Sequence, residues 1–457
     1  MSQIDAIIIG GGLAGLCCAR RLHQEGLSFT VLEASDGPGG RVRTDELDGF
    51  LLDRGFQVLL TAYPEAQDVL DYDALDLCTF VPGALVRKDG QFFRISDPWR
   101  EPGTWFRNFF SPIGSMADKF RLSRLRSHVL GRSIEELFDA PEMSTRQALD
   151  RYSFSPRFIE EFFRPWFGGI QLESKLNASS RMFEFIFRMM SDGDVAVPAR
   201  GMGQIPAQLA AALPEGSLRL NARVQQIDGR TVTLTSGETL TAPNIVVATE
   251  GPESNRLLRV RMSIPSRSVT CLYFAAPEAP IDEPILVLGG SGRGLINNLA
   301  VMSNVSPSYA PAGQHLVCVT VVGLPTRDER SLITNISGQL KRWFGSSVTR
   351  WRFLRMYQIE HAQPVVVPLE WTQDNRIEPG LYTAGDYRAT PSIQGAMESG
   401  RLAAETLLRD LRGEPDPETI DPRKRVSASG RRLRLKSTTG EEFETGEEPE
   451  SEREIPD

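Results

Sequence analysis

Histidine is scarce in this chain of 457 residues: His23, His128, His315 and His361 are the only four, and none is spaced as a ligand pair, so no metal centre is expected. Cysteine is scarce as well. Cys17, Cys18, Cys78, Cys271 and Cys318 form no CxxC and no even-numbered framework, which argues against a disulfide scaffold and for a reducing compartment. Basic charge is in deficit: the net charge of −8 lacks the surplus that nucleic acid requires, so no nucleic-acid partner is expected. No apolar run approaches the ~18 residues of a membrane span. The first strand begins within about four residues of Met1, leaving no room for a leader peptide, and a cytoplasmic location follows as the expectation. What remains is ordinary globular composition, 40% hydrophobic and 24% charged, long enough for two interleaved domains.

Against these absences, glycine is concentrated at one end. Ile7-Ile8-Ile9 reads as a buried parallel strand, followed directly by Gly10-x-Gly12-x-x-Gly15 and a helix carrying Leu13, Ala14 and Leu16 to Leu22. Glycines at this spacing permit a tight turn, let backbone approach a pyrophosphate and pack the helix on the strand. The helix N-terminus then offers free N–H groups and partial positive charge to the phosphates. Phe29 to Leu32 reads as a second strand ending at Glu33 and Ala34, where an acid can accept from a ribose diol. Strand, turn, helix, strand and acid in this order predict a dinucleotide site.

A second glycine pair, in Gly37-Pro38-Gly39-Gly40-Arg41, follows the acid too soon for a simple nicotinamide site. Glu33 to Thr44 resembles the acid-plus-GGR segment of the flavin-containing amine oxidase and carotenoid (phytoene) desaturase superfamily. That resemblance implies that Gly39 and Gly40 run along the pyrophosphate of FAD, held non-covalently, and that Arg41 contacts it. "DRGFQVLLTAYPEA" (Asp53 to Ala66) is similar to the corresponding segment of plant-type phytoene desaturases. The resemblance places Gly55 and Phe56 near the isoalloxazine. By alternation alone, Phe56, Val58 and Leu60 give a half-buried strand.

Two later segments resemble the same superfamily. Leu218 to Thr249 reads as a β-meander closing with the strand Ile245 to Ala248, and the resemblance has Val224 meeting the adenine through its backbone. "GLYTAGDYRATPSIQGAMESGRLAAETLLRDL" reads as a strand, Gly385-Asp386, and a helix with small residues on one face. By resemblance, Asp386 bonds the ribityl or pyrophosphate region while backbone at Gln394, Gly395 and Ala396 faces the flavin pyrimidine. A helix N-terminus there favours negative charge on reduced flavin.

The implied fold is α/β with α+β: a Rossmann-type, doubly wound βαβ FAD-binding domain of GR2-like type with a β-meander, and an inserted mixed substrate domain. The expected division is 1–74, 191–261 and 361–413 for FAD, 75–190 and 262–360 for substrate, and a charged disordered tail over 414–457. In the substrate part, Phe154, Phe158, Phe162 and Trp166 recur every four residues, with Phe183, Phe187 and Met190 on a second helix. Core packing and a tunnel for a large apolar substrate both stay open. So do two readings of the segment carrying Trp99, Arg100, Trp105, Phe106, Arg107, Phe109 and Phe110: a tunnel mouth in peripheral membrane contact, or an irregular cap. Leu288 to Gly294 lacks GxGxxG spacing and reads as a hairpin or loop, so no second nucleotide site is expected.

The resemblance implies an FAD-dependent oxidoreductase, desaturase-like, passing hydride from a substrate C–H to flavin N5, with oxygen or a quinone taking the electrons. The amine-oxidising branch places a lysine on the strand matching Ser266 to Phe274, where none occurs, which weighs against amine oxidation. An amine oxidase or protoporphyrinogen-oxidase-like enzyme is the alternative. A reduced-flavin isomerase without net redox change is the alternative of another class. His361, Tyr387 and Arg388 flank the expected ring site and are the side-chain candidates for catalysis.

Overall fold

Three isoleucines decide where the first sheet has its centre. The computed structural model describes residues 4–97, 99–100, 111–259, 264–292, 294–325, 328–371 and 373–415. The strand Ala6–Ile9 is buried at every position, as β-branched residues covered on both faces require. It pairs in parallel with Phe29–Leu32 on one side and Asn244–Val247 on the other. Leu218–Arg219, Leu381–Thr383 and Arg376–Glu378 complete a six-stranded sheet, parallel except at its last edge. The expected meander is there as an antiparallel trio: Val224–Asp228, Thr231–Leu234 and Thr239–Thr241.

Two helices cover one face of this sheet, Leu13–Gln24 and Ile393–Arg412. Their small residues are needed for contact at backbone distance. A Cβ on Gly400 would stand 2.0 Å from the carbonyl oxygen of Ala14, so only glycine lets the two helices cross this closely. Cys17 and Cys18 are buried in the same packing.

The second large sheet has seven strands. In order they are Arg352–Pro364, Ser266–Ala276, His315–Val322, Asn298–Val301, Leu286–Leu288, Gly83–Lys88 and Gln91–Ser96. Every pairing is antiparallel except that of Leu286–Leu288 with Gly83–Lys88. Leu286–Leu288 and Asn298–Val301 are the arms flanking the glycine-rich Leu288 to Gly294 stretch, a hairpin connection and not a nucleotide turn. One continuous core joins both sheets: Ile8 and Leu16 belong to it with Cys271, Tyr273 and Leu316.

Two local expectations change. Only Leu59–Leu60 of the segment through Phe56 is a strand, because Gln57 Nε2 donates to the carbonyls of Arg41 (2.8 Å) and Arg54 (3.3 Å) and holds the preceding backbone in a turn. The four-residue aromatic period is also broken. Ile159–Phe163 is a π-helical turn between the helices Pro156–Phe158 and Arg164–Ile170, and its extra residue shifts the register by one. Phe154 and Phe158 are therefore continued on the core side by Phe163 and Phe167, which meet Phe183 at 6.0 and 4.6 Å between ring centroids. Phe162 and Trp166 are turned elsewhere.

The described chain to Arg412 is one unit, and a second begins at Gly413. The charged-tail expectation for 414–457 lies outside the described residues except for Glu414 and Pro415, as do Trp105, Phe106, Arg107, Phe109 and Phe110.

Candidate functional site

The glycine turn is closed on itself by hydrogen bonds and by close backbone approach. Gly10 leaves the first strand at φ +109°, and a Cβ there would stand 2.7 Å from Ala248 O. At Gly15 a Cβ would meet Gly10 O at 1.9 Å, which is why the helix can start against the strand only through glycine. The second glycine pair belongs to the same structure: Gly39 N–H donates to Gly11 O (2.8 Å), and Gly12 and Gly39 form an isolated parallel bridge. Glu33 ties the strand end to both. Its Oε2 accepts from Gly11 N–H (2.7 Å), and its Oε1 accepts from Ser35 N–H (2.8 Å) and Ser35 Oγ (2.7 Å).

Arg41 and Asp386, brought together across most of the chain, form a two-pronged ion pair. Nη2 donates to Oδ1 at 2.7 Å and Nη1 to Oδ2 at 2.9 Å, while Nη1 also donates to Ala362 O at 3.1 Å. Burial works against the Arg41 charge, but Asp386 outweighs it and moves the guanidinium's pKa upward. Arg41 was expected at the pyrophosphate and Asp386 at the ribityl or pyrophosphate region, and the structure makes each the other's partner. Arg43 instead pairs with the exposed Asp36 at 2.8 Å.

These elements surround a cavity of ≈ 560 Å³. Of the residues expected to hold a cofactor, Gly10, Gly12, Leu13, Ala14, Glu33, Ala34, Gly39, Gly40, Arg41, Gly55, Phe56, Val224, Gly385, Asp386 and Ala396 line it. Gly15, Gln394 and Gly395 stand behind it. Gln394 Oε1 accepts from Glu65 N–H (2.9 Å), fastening the long C-terminal helix to Pro64–Val69. A Cβ on Gly395 would lie 1.9 Å from Thr390 O. The lining fits an elongated nucleotide: a Cβ on Gly12 would meet nothing within 4 Å, as expected beside space for a phosphate. Two buried amide oxygens, Gln57 Oε1 and Gln363 Oε1, belong to residues of this lining and accept from no described group. Acceptors left so in a cavity suit a ligand that carries its own N–H donors. The C-terminal helix opens onto the cavity with Ser392, Ile393 and Ala396, adding its N-terminal partial positive charge.

A second chamber of ≈ 170 Å³ adjoins the first, and Phe56, Val58, Trp166, Ile170, Met190 and Leu286 line both. Phe162 and Phe187 line the outer chamber alone. The aromatic set thus divides. Phe154, Phe158 and Phe183 are core alone, whereas Phe162, Trp166, Phe187 and Met190 pack on the same core and also wall the chamber. Trp99, Arg100 and Arg126 line it too, with the Arg126 guanidinium 5.2 Å above the Trp99 ring.

His361, Tyr387 and Arg388 line neither chamber. Tyr387 is buried with its hydroxyl 2.8 Å from Thr383 Oγ1 and donating to Ala384 O at 3.1 Å. His361 Nδ1 is buried without a hydrogen-bond partner among the described residues. Sequence reading missed Gln363, Asn298 and Thr320, all in the cavity lining. The signal for Asn298 was slight: it is the polar first residue of an otherwise apolar strand. Among the described residues no group of three His, Cys, Asp or Glu could hold a metal.

A family model described as flavin containing amine oxidoreductase matches residues 13–408. The 15-cis-phytoene desaturase (chloroplastic/chromoplastic) of an Oncidium hybrid cultivar is 23% identical over 464 aligned positions, covering 89% of this chain and 78% of that protein. Among solved structures, cyclohexylamine oxidase from Brevibacterium oxydans IH-35A superimposes with a TM-score of 0.67 at 17% identity, covering 90% of this chain and 100% of that one. A putative protoporphyrinogen oxidase from Exiguobacterium sp. 255-15 gives 0.66 at 17% identity, with 90% and 100% covered.

Proposed function

The chain belongs to the flavin-containing amine oxidoreductase family, and from that premise we propose that this FAD-dependent oxidoreductase takes hydride from a C–H bond of a large apolar or conjugated, isoprenoid-like substrate. The observation that carries the proposal is the outer chamber, whose walls of Phe56, Val58, Phe162, Trp166, Phe187 and Met190 continue directly from the cofactor-sized cavity. Bound FAD supplies a two-electron acceptor. The chain's own groups do the rest. The glycine turn and the N-terminus of Leu13–Gln24 would hold the phosphates, with Arg41 and Asp386 at their side and Glu33 at the ribose, and the N-terminus of Ile393–Arg412 would face the flavin. The apolar walls align the substrate and exclude water from the C–H bond. Loss of hydride from a conjugated skeleton makes the neighbouring C–H strongly acidic, so the second half of double-bond formation needs only a weak proton acceptor.

Residues 1–74, 191–261 and 361–413 are read as the cofactor-holding part, supported by the six-stranded sheet, all of whose strands they supply. Segments 75–190 and 262–360 are read as the substrate part, supported by the seven-stranded sheet. Entry is placed at the Trp99–Arg126 end of the outer chamber, a rim suited to an apolar surface such as a membrane face; among the described residues no helix is long and apolar enough to span one. Oxygen or a quinone takes the electrons.

The test is anaerobic bleaching of the flavin in the loaded protein by polyenes, tetrapyrroles and amines in turn. Bleaching by a polyene is the expected result. Bleaching by amines or by tetrapyrroles alone refutes the desaturase reading, and product formed only after chemical reduction of the flavin, without net electron consumption, favours an isomerase.

A further inference from the structure

One pair of polar side chains interrupts the apolar side of the cavity. Asn298 and Thr320 stand opposite each other on antiparallel strands, are buried, and belong to the cavity lining. The next residues on the same face of these two strands, Ala300 and Cys318, are apolar and completely buried.

The pair is held from behind. Asn298 Nδ2 donates to Thr320 Oγ1 at 3.2 Å, and Asn298 Oδ1 accepts from Asn297 Nδ2 at 2.9 Å. Asn297 Nδ2 also donates to Pro165 O at 2.9 Å, in the helix that presents Trp166. That helix rides close on both amides: a Cβ on Gly169 would come to 2.5 Å from Asn297 Nδ2 and 3.1 Å from Asn298 Oδ1. The Asn298 amide is thereby fixed in orientation as well as in place.

Two donors remain. Asn298 Nδ2 carries a second hydrogen, and the Thr320 hydroxyl, having accepted from Asn298, has its own proton to give. Neither has a further acceptor among the described residues. Each atom thus has one partner and one proton still to give, and in a cavity lining such a proton suits an acceptor on a bound molecule. The pair stands apart from the phosphate-binding groups and close to the outer chamber: the glycine turns, Glu33, Arg41 and Asp386 cluster at the carboxyl ends of the six-stranded sheet, whereas Asn298 and Thr320 lie on the other sheet against the helix Arg164–Ile170, whose Trp166 and Ile170 line both chambers.

We propose that the substrate, otherwise apolar, carries an oxygen acceptor, a hydroxyl or carbonyl, that docks on Asn298 and Thr320, and that these two residues set specificity for oxygenated over plain hydrocarbon isoprenoids. The proposal rests on the apolar-substrate reading above. The probes are retinol and axerophthene, the hydrocarbon that differs from it by the hydroxyl alone. Each is titrated into the FAD-loaded protein in detergent, with quenching of tryptophan fluorescence as the binding signal, since Trp166 lines the cavity. The wild type is expected to bind retinol roughly 3- to 10-fold more tightly than axerophthene, the worth of one or two neutral hydrogen bonds. Asn298→Leu and Thr320→Val are expected to bring the ratio near one, and Thr320→Ser to restore it. Flavin absorbance in each variant reports an intact cofactor site independently of this ratio. A wild-type ratio of one, or a preference that survives both substitutions, overturns the proposal while leaving the apolar-substrate reading standing. Failure of both probes to bind, together with failure of any polyene to bleach the flavin, overturns that reading and this proposal with it.

Discussion

Removing the Asp118 carboxylate should loosen the wall of the outer chamber from a distance. Asp118 is completely buried, yet its pKa is held below the usual carboxylate value: burial pushes it up, and hydrogen bonds from Ser155 and Ser115 more than compensate. Oδ2 accepts from Ser115 N–H (2.9 Å), Ser115 Oγ (2.7 Å) and Ser155 Oγ (2.8 Å), and Oδ1 accepts from Ser155 N–H (2.8 Å). Ser115 caps Met116–Leu130, which supplies Leu122 and Arg126 to the outer chamber; Ser155 caps the helix leading through the π turn to Phe162 and Trp166. One carboxylate therefore fixes two helix starts relative to each other. In Asp118→Ala the two hydroxyls can turn to each other, but the N–H groups of the exposed Ser115 and the half-buried Ser155 lose their acceptor and both helix starts are less well fixed. The expected loss is ~1–3 kcal/mol. Because the folded pKa lies below the unfolded 3.8, this stabilisation is present above that pH and fades as pH falls through the folded value. Urea unfolding of the FAD-loaded wild type and of Asp118→Asn should then show a wide gap at pH 7 that narrows below about pH 4. Equal midpoints at pH 7, or a gap that does not change with acid, would refute the argument.

Asp53 should show the opposite slope. Burial raises its pKa from 3.8 to about 6, against hydrogen bonds from Thr44, Tyr309 and Met202, so its contribution is greatest below pH 4 and is lost as pH rises through 6. Relative to Asp53→Asn, the wild type should lose about 3 kcal/mol across that window, read from urea midpoints at several pH values. Arg41→Met leaves the buried Asp386 carboxylate unpaired beside the phosphate region and should weaken FAD binding by ~3 kcal/mol, on the order of 100-fold in Kd by flavin fluorescence titration. Arg41→Lys should recover only part of this, since one ammonium cannot span both oxygens. Gly400→Ala must push the C-terminal helix off Ala14 and should destabilise the fold by ~1–3 kcal/mol, with FAD released at a lower urea concentration than in the wild type.

The sequence was most legible where function is written in backbone. Glycines at which a Cβ would stand within 3 Å of backbone, such as Gly10, Gly15 and Gly400, leave no room for a side chain, so their spacing reads as a pattern. Phe29–Leu32 could be placed to the residue because its β-branched and apolar run ends at an acid with a defined task. The aromatic period failed for a physical reason: four-residue spacing assumes a uniform α-helix, and the π turn at Ile159–Phe163 inserts one residue that no side chain announces. That single insertion separates Phe163 and Phe167, which pack in the core alone, from Phe162 and Trp166, which also reach the chamber.

What stayed hidden is the far side of the site, because it is assembled by pairings across long stretches of chain. Arg41 finds Asp386 only once the sheet strand Leu381–Thr383 is laid beside Asn244–Val247, and Gln363 reaches the cavity only because Arg352–Pro364 is the edge of the second sheet. Asn298 and Thr320 become one feature through strand register, which puts them opposite each other. The phosphate end of such a site is set by turns whose chemistry is local, and family likeness reads it well. The substrate end is set by which side chains two sheets and a kinked helix turn inward. Selection can alter it one residue at a time without disturbing the cofactor. Desaturases and amine oxidases can therefore each resemble this chain at only 16–24% identity over most of its length, and a substrate is better argued from Asn298, Thr320, Phe162 and Trp166 than from the glycines.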